Sequence, residues 1–437
     1  MFKFSKHLIN VKKSFRAFKY YNYRLYFSGQ TISLIGTWMQ RIAMSWLIYR
    51  LTNSPFLLGF LGFLNSLPLL IVMPFAGVVV DKLNRYQIVL WAQILAALQA
   101  FILWFLVINT SVKIWQIIVL GLFLGVVNAF DMPARQAFVP ELILKKDDLI
   151  SAIALNSAIV NIARLIGPTL AGILISAFGE ATCFLVNALS YLAVIIALLA
   201  MKLPPKLEKP TKTNWITDFA QGFKYTFNFM PIRAIILLLA IVSIMGMSYT
   251  VLMPIFAKEI LQGGPKTLGL LMGAVGIGAL IGVGFVAQRK NAWGLERIIP
   301  LAAIIFSISL IIFAFSRILV LSLVLMVFSG LGMMIQMSCS NTLVQTIVDD
   351  KIRGRVMSFY MLAFLGTTPI GSLLTGSLAR YLGASNTVML SGVISLISAL
   401  IFIKALPEIK KLIQPIFVKM ELITPNQDSF IVHNSGQ

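Results

Sequence analysis

Two arginines stand where an apolar chain should carry none. Arg41 and Arg164 each fall inside a long hydrophobic run. An arginine at the centre of a membrane span costs about 2.5–3.5 kcal/mol on insertion scales, so each must face a polar space or a partner rather than lipid. The run around Arg41 also carries Gln30, Ser33, Thr37 and Gln40 at helical spacing, on one face. A later run supplies Gln336, Ser340, Asn341 and Gln345 in the same manner, while Asn128, Asn161 and Tyr249 add isolated polar groups. No Asp or Glu lies deep in an apolar run; Asp131 and Glu259 fall near the ends. A cavity lined by Gln30, Thr37, Gln40, Arg41, Asn161, Arg164, Gln336 and Asn341 offers cations and no carboxylate. It would favour an anionic or polyhydroxylated solute. The alternative for each arginine is structural, a pairing with backbone carbonyls or packing neighbours.

This is recognition chemistry, not catalysis. His7 and His433 sit in polar tails, and Cys183 and Cys339 lie in apolar runs. No histidine cluster, paired carboxylate or poised thiol is available for an enzyme or a metal site. The phosphate-cradling pattern G-x-x-x-x-G-K-[ST] is missing, so no nucleotide is expected to be hydrolysed and no cofactor is implied.

The elements that must position these groups follow from composition. Of 437 residues, 59% are hydrophobic and 12% charged, and the mean hydropathy is +0.90. A soluble domain is about one quarter charged, so this chain could not cover its own surface in water. Stretches of about 20 apolar residues suffice to span a bilayer. Twelve can be counted, near 25–49, 56–80, 87–109, 114–134, 150–177, 181–201, 232–256, 267–287, 297–315, 318–345, 355–380 and 387–404. The expectation is an all-α membrane protein of twelve transmembrane helices. A basic segment 1–24 precedes a six-helix bundle over 25–201; a Pro- and Lys-rich linker, 202–231, leads to a second bundle over 232–404 and a polar tail, 405–437.

Of the 36 Lys and Arg, 28 fall in the segments on one side of these spans, 6 on the other and 2 within them. The positive-inside rule then places both termini and the linker in the cytoplasm, with the protein in the plasma (inner) membrane. The charge of +21 reads as topology, not as nucleic-acid binding. The halves also repeat. Gly77-Val-Val-Val-Asp81-Lys82 answers to Gly284-Phe-Val-Ala-Gln288-Arg289, and Gly167, Gly172 and Gly179 answer to Gly371, Gly376 and Gly383. Parallel repeats about an axis normal to the membrane are a transporter architecture, with the solute path between them.

These residues carry a family resemblance. Gly77-Val-Val-Val-Asp81-Lys82-Leu83-Asn84-Arg85 resembles the major facilitator signature G-x-x-x-D-[RK]-x-x-R between spans 2 and 3. Ala163-Arg-Leu-Ile-Gly167-Pro168-Thr-Leu-Ala171-Gly172 resembles the span-5 antiporter motif, with alanines at two of its glycine positions. Asn22-Tyr-Arg24, Pro133-Ala-Arg135-Gln136 and Arg353-Gly354-Arg355 are similar to the branch holding the enterobactin (siderophore) exporter and the macrolide-efflux permeases. The resemblance implies two pseudo-symmetric six-helix bundles, the major facilitator fold, and an interdomain latch of Gly77, Asp81, Lys82, Arg85 and Asp131. In that latch Asp81 meets the N-terminus of span 11 and Arg85 pairs with Asp131. Span 4 lacks the intramembrane arginine of the proton-antiport motif, so proton coupling does not carry over. A proton on Asp131 or Asp81, or the solute's own charge, would have to supply the energy. The expected activity is export of a small amphipathic or anionic molecule, with a general drug/proton antiporter or a nutrient importer as alternatives. The expected partners are that solute and the bilayer, with no nucleic acid and a monomeric state.

Overall fold

The computed structural model describes residues 15–202, 215–289, 292–349 and 352–420. Among them there is no strand. The chain opens with α1 (Tyr21–Thr52), a helix of 32 residues. Asn53 then enters the left-handed region at φ 46°, and Ser54 caps the next helix by accepting from Leu57 N at 3.3 Å with Pro55 at its first position. That helix, α2 (Pro55–Ile71), breaks at Val72, where Pro68 and Pro74 each remove a backbone donor, and resumes as α3 (Met73–Lys82). Then come α4 (Arg85–Ile108), α5 (Ile114–Phe138), α6 (Lys146–Phe178) and α7 (Glu180–Leu199). After the linker helix α8 (Trp215–Asn228) follow α9 (Met230–Ile260), α10 (Pro265–Ala287), α11 (Leu295–Phe315), α12 (Leu319–Ile347), α13 (Arg353–Leu382) and α14 (Ala384–Lys419).

Ten helices of the described residues are long and apolar enough to cross a membrane: α4 to α7 and α9 to α14. The polar stripe and arginines of α1 lower its mean hydropathy, and the proline break leaves α2 with 17 residues. Trp91, Phe105, Ile196, Phe315 and Ile401 project outward unburied, as side chains against lipid would.

The matched glycines are the points where helices touch. A Cβ on Gly172 of α6 would stand 2.7 Å from Pro265 O and 3.0 Å from Gly269 Cα on α10. One on Gly376 of α13 would stand 2.8 Å from Pro55 O and 2.6 Å from Gly59 Cα on α2. Gly172 and Gly376 correspond in the repeat, and so do their partners Pro55-Phe-Leu-Leu-Gly59 and Pro265-Lys-Thr-Leu-Gly269. The crossings α6–α10 and α13–α2 are thus one contact made twice, and only small residues let backbones approach so closely. Gly179 and Gly383, which end α6 and α13 at φ 80° and 81°, complete the correspondence. Gly167 serves a different neighbour: a Cβ there would meet Trp38 Cβ on α1 at 2.6 Å. Despite Pro168, α6 runs as one helix.

Two helices contain wide turns. The π turn Val242–Gly246 of α9 faces the π turn Leu362–Gly366 of α13, where Ser243 Oγ donates to Phe364 O at 2.7 Å. Such turns free backbone groups and recur at functional positions.

The linker and the tail are more structured than their composition suggests. Within 202–231, α8 packs on the start of α13, with the rings of Phe223 and Phe359 6.0 Å apart. Residues 203–214 lie outside the described set. The tail begins as a continuation of α14, whose Ile409, Ile413 and Phe417 recur every fourth residue and are fully buried, Phe417 against the Trp293 ring at 5.5 Å. Polar composition hid that apolar stripe. Residues 1–14 and 421–437 are outside the described set.

Candidate functional site

Arg41 and Arg164 meet. The Arg41 guanidinium carbon lies 4.6 Å from the centre of the Trp38 ring, and that of Arg164 lies 5.2 Å from the same ring. Trp38 is seated by Gly167, so α1 and α6 build one unit of two cations on one indole. Each cation–π contact contributes about 0.5–2 kcal/mol, depending on desolvation. The like charges still repel through a weakly screening interior. Arg164 Nε is buried and without a hydrogen-bond partner, while Arg41 keeps an exposed surface. Tyr249, from α9, is within electrostatic range of Arg164. At 1.5 Å per residue, Arg41 is roughly 17 Å and Arg164 roughly 21 Å from the far ends of their helices, so both sit well inside them. An incoming anion would relieve the repulsion and satisfy the open donor.

The polar stripe of α1 is not part of this unit. Gln40 Nε2 donates to Gln99 Oε1 at 2.8 Å, Asn187 Nδ2 donates to Gln40 Oε1 at 2.7 Å, and the hydroxyls of Thr37 and Tyr191 are 3.2 Å apart. Gln30, Ser33 and Gln40 are buried among α1, α4, α5 and α7. The expectation that Gln30, Thr37 and Gln40 share a solute cavity with Arg41 is corrected. Successive helical residues are turned about 100° from each other, so Gln40 faces α4 and α7 while Arg41 is turned away from them. Buried amides need partners, and Gln99 and Asn187 supply them.

The remaining candidates scatter. Asn161 Nδ2 donates to Ser157 O at 2.9 Å on its own helix, one turn before Arg164. Gln336 is buried, with Nε2 unpartnered. Asn341 accepts from Gln345 Nε2 at 2.6 Å and lines a surface pocket with Thr342, Thr346 and Arg353, away from the arginines.

The expected latch pairing is also corrected. Arg85 donates to Glu141 at 2.6 Å, whereas Asp131 contacts Arg135 at 2.7 Å and accepts from Gln93 Nε2 at 3.1 Å. The reason is helix length. α5 continues to Phe138, which sinks Asp131 about 10 Å below its end. Glu141, in the short turn Val139–Leu142, is left level with the start of α4. Lys82 ends α3 exposed; Gly77 lies within α3, and the Asp81 side chain is outside the described set. Ala163 and Ala171 of the span-5 motif are buried.

The opposite end carries contacts that sequence reading missed. Tyr49 OH donates to Glu259, and Lys258 Nζ donates to Asn53 Oδ1 at 2.7 Å, both from the end of α9 to the end of α1. Arg50 Nε holds Glu180 at 2.7 Å beside them. The Pro55–Gly376 and Pro265–Gly172 approaches lie at this end too. The recurring Pro-x-x-Leu-Gly was the available signal for the approaches; nothing in the sequence pointed to Tyr49.

Residues 13–424 match the MFS_3 family, described as transmembrane secretion effectors. The staphyloferrin A transporter of Staphylococcus aureus is 26% identical over 87% of this chain and 95% of its own length. Macrolide efflux protein A of Streptococcus pyogenes is 22% identical over 90% of this chain and 99% of its own. A bacterial homologue of the human lysosomal transporter Spinster, solved inward-facing and unoccupied, superposes with a TM-score of 0.70 at 15% identity, covering 90% of this chain and 98% of that one. A likeness at that identity speaks to fold alone. With the family matched along nearly the whole sequence, the chain is a major facilitator transporter of the MFS_3 family.

Proposed function

We propose that this transporter exports a small anionic or amphipathic solute by alternating access. The observation that carries the reading is the pair of arginines on Trp38, with a buried donor of Arg164 open. In the reading, α1 to α7 and α9 to α14 form two six-helix bundles with twelve spans, α2 and α3 making one span. The basic bias puts both termini in the cytoplasm of a plasma membrane. The glycine crossings and the Tyr49–Glu259 and Lys258–Asn53 bonds then close the outer end, so this is the inward-facing state. Similarity to a siderophore transporter and to a macrolide efflux protein supports a small-molecule cargo.

The membrane potential acts directly on such a cargo, at about 2.3 kcal/mol per charge per 100 mV, pushing an anion out of an inside-negative cell. The test is a paired efflux assay with anionic carboxyfluorescein and neutral chloramphenicol. Arg164→Gln is expected to slow carboxyfluorescein efflux more than chloramphenicol efflux, and Arg41→Gln to do so less strongly, because Arg41 is the more exposed of the two and leaves no buried donor open. Collapse of the potential should slow the anion selectively. Equal losses for both probes, indifferent to the potential, would refute the anion reading in favour of a general drug/proton antiporter.

A further inference from the structure

We propose that α8 is a docking surface for anionic phospholipid, with Phe223 and Phe227 seated in the cytoplasmic leaflet and Lys224 and Arg233 among its headgroups. The inference rests on the orientation proposed above but not on the cargo.

The sequence of α8 repeats phenylalanine every fourth residue, at Phe219, Phe223 and Phe227. Apolar residues at that spacing form a stripe along a helix, and in a globular fold the stripe would turn to the core. Here the packed face is another one, made of small residues. A Cβ on Gly222 would stand 3.0 Å from Arg355 Cβ and from Phe359 Cε2 on α13, and Thr226, one turn on, is fully buried. Phe223 and Phe227 each follow one of these residues and are turned about 100° from it. Their rings lie 4.6 Å apart. The Phe223 ring meets that of Phe359 at 6.0 Å, yet Phe223 remains 50% exposed. Lys224, turned about 100° further, is exposed. Around its axis α8 thus presents a protein contact, an aromatic pair and a cation in succession.

The place of α8 selects what covers the rings. Phe229 alone separates it from α9, and Arg233 Nη1 donates back to Phe227 O at 3.3 Å, pinning the corner. The helix therefore lies level with the starts of α9 and α13, the cytoplasmic ends of two spans in the orientation proposed. Deeper in, Leu237, two turns into α9, and Leu362, one turn past Phe359, are exposed. The aromatic pair continues that apolar surface, so hydrocarbon that reaches Leu237 and Leu362 also reaches the rings. A helix with rings on one flank and a cation beside them matches the boundary between acyl chains and headgroups.

Charge selects the lipid. Lys224 and Arg233 are exposed, and the linker 202–231 carries five lysines against two carboxylates, Glu208 and Asp218. Each basic side chain near an anionic leaflet favours contact about fivefold, whereas a zwitterionic headgroup offers no net charge. The contact also has a route inward. Arg355 and Phe359, against which Gly222 lies, precede the π turn Leu362–Gly366 that Ser243 of α9 joins. A shift of α8 on the leaflet is thereby passed to the junction of α9 and α13.

The test uses the full chain in vesicles and takes the lipid as its probe. Bimane is attached through Phe223→Cys, the native Cys183 and Cys339 being buried. Its quenching by phosphatidylglycerol with brominated chains is compared with that by brominated phosphatidylcholine at the same mole fraction. Both lipids should quench, the anionic one more strongly. Lys224→Gln and Arg233→Gln together should bring the ratio of the two close to one. Phe227→Cys is the second label position should the first variant fold poorly. No quenching by either lipid, the outcome if water, a second copy or another protein covers the rings, would overturn the proposal. Equal quenching by the two lipids, or a preference untouched by the double substitution, would overturn it as well. The orientation is checked apart. An impermeant maleimide that labels Asn228→Cys on intact cells would count against the orientation above, with the quenching still deciding the lipid contact.

Discussion

Adding one methyl group at Gly376 or Gly172 should open the end of this transporter at which Tyr49 meets Glu259. A Cβ on Gly376 would stand 2.6 Å from Gly59 Cα, and one on Gly172 would stand 2.7 Å from Pro265 O. These are backbone atoms, which cannot swing aside as a side-chain tip would. Ordinary carbon contacts lie near 3.5–4.0 Å, so the helices must part by roughly 1 Å, and a gap of that size forfeits about a quarter to a half of the contact energy along the crossing. Overpacking of this sort costs about 1–3 kcal/mol. The cost falls on the state in which these crossings are closed, so the ratio of molecules open at this end to molecules closed there should rise roughly 5- to 150-fold for that range of energy. Gly284→Ala is the matched control, because a Cβ there meets nothing within 4 Å. A cysteine placed at Ser54, beside the crossing, would report through its labelling rate with a membrane-impermeant maleimide. The native Cys183 and Cys339 are buried and should contribute little background. Faster labelling in Gly376→Ala and Gly172→Ala, with parental labelling in Gly284→Ala, is the expected pattern. If all three variants label at the parental rate, the crossings do not hold this end closed.

Two further outcomes follow from the polar contacts. Gln40→Leu strands the amides of Gln99 and Asn187 and should lower stability by about 1–3 kcal/mol, read as a lower melting temperature in detergent; adding Gln99→Leu should recover part of the loss. In a double-mutant cycle on transport rate, Arg85→Gln and Glu141→Gln should couple by about 0.5–3 kcal/mol, while Arg85→Gln and Asp131→Asn should be nearly additive because the structure pairs each with a different partner.

The apolar runs made most of the helices legible, since a bilayer admits few other solutions for stretches of that length. The glycine matches likewise anticipated where α6 and α13 touch their neighbours. What the sequence could not show was direction. The stripe Gln30–Gln40 announces a polar face, but which neighbours that face meets depends on the amides that α4 and α7 present to it. Arg85 was misassigned because α5 runs to Phe138, four residues beyond the expected end at 134, and that exchanged the roles of Asp131 and Glu141. Trp38 is one of seven tryptophans in the sequence. Its part emerges only when α1 and α6 are brought together at Gly167.

At Gly172 and Gly376 the two crossings set backbone against backbone, and a surface of that kind has few teeth. A bearing of this kind guides motion without setting its speed. Friction in the cycle then falls to the sparse polar fastenings at the rim, the Tyr49–Glu259 and Lys258–Asn53 contacts above all. Turnover could therefore be tuned by exchanging a rim residue, while the load on the bearings, and with it the integrity of the fold, stays as it was.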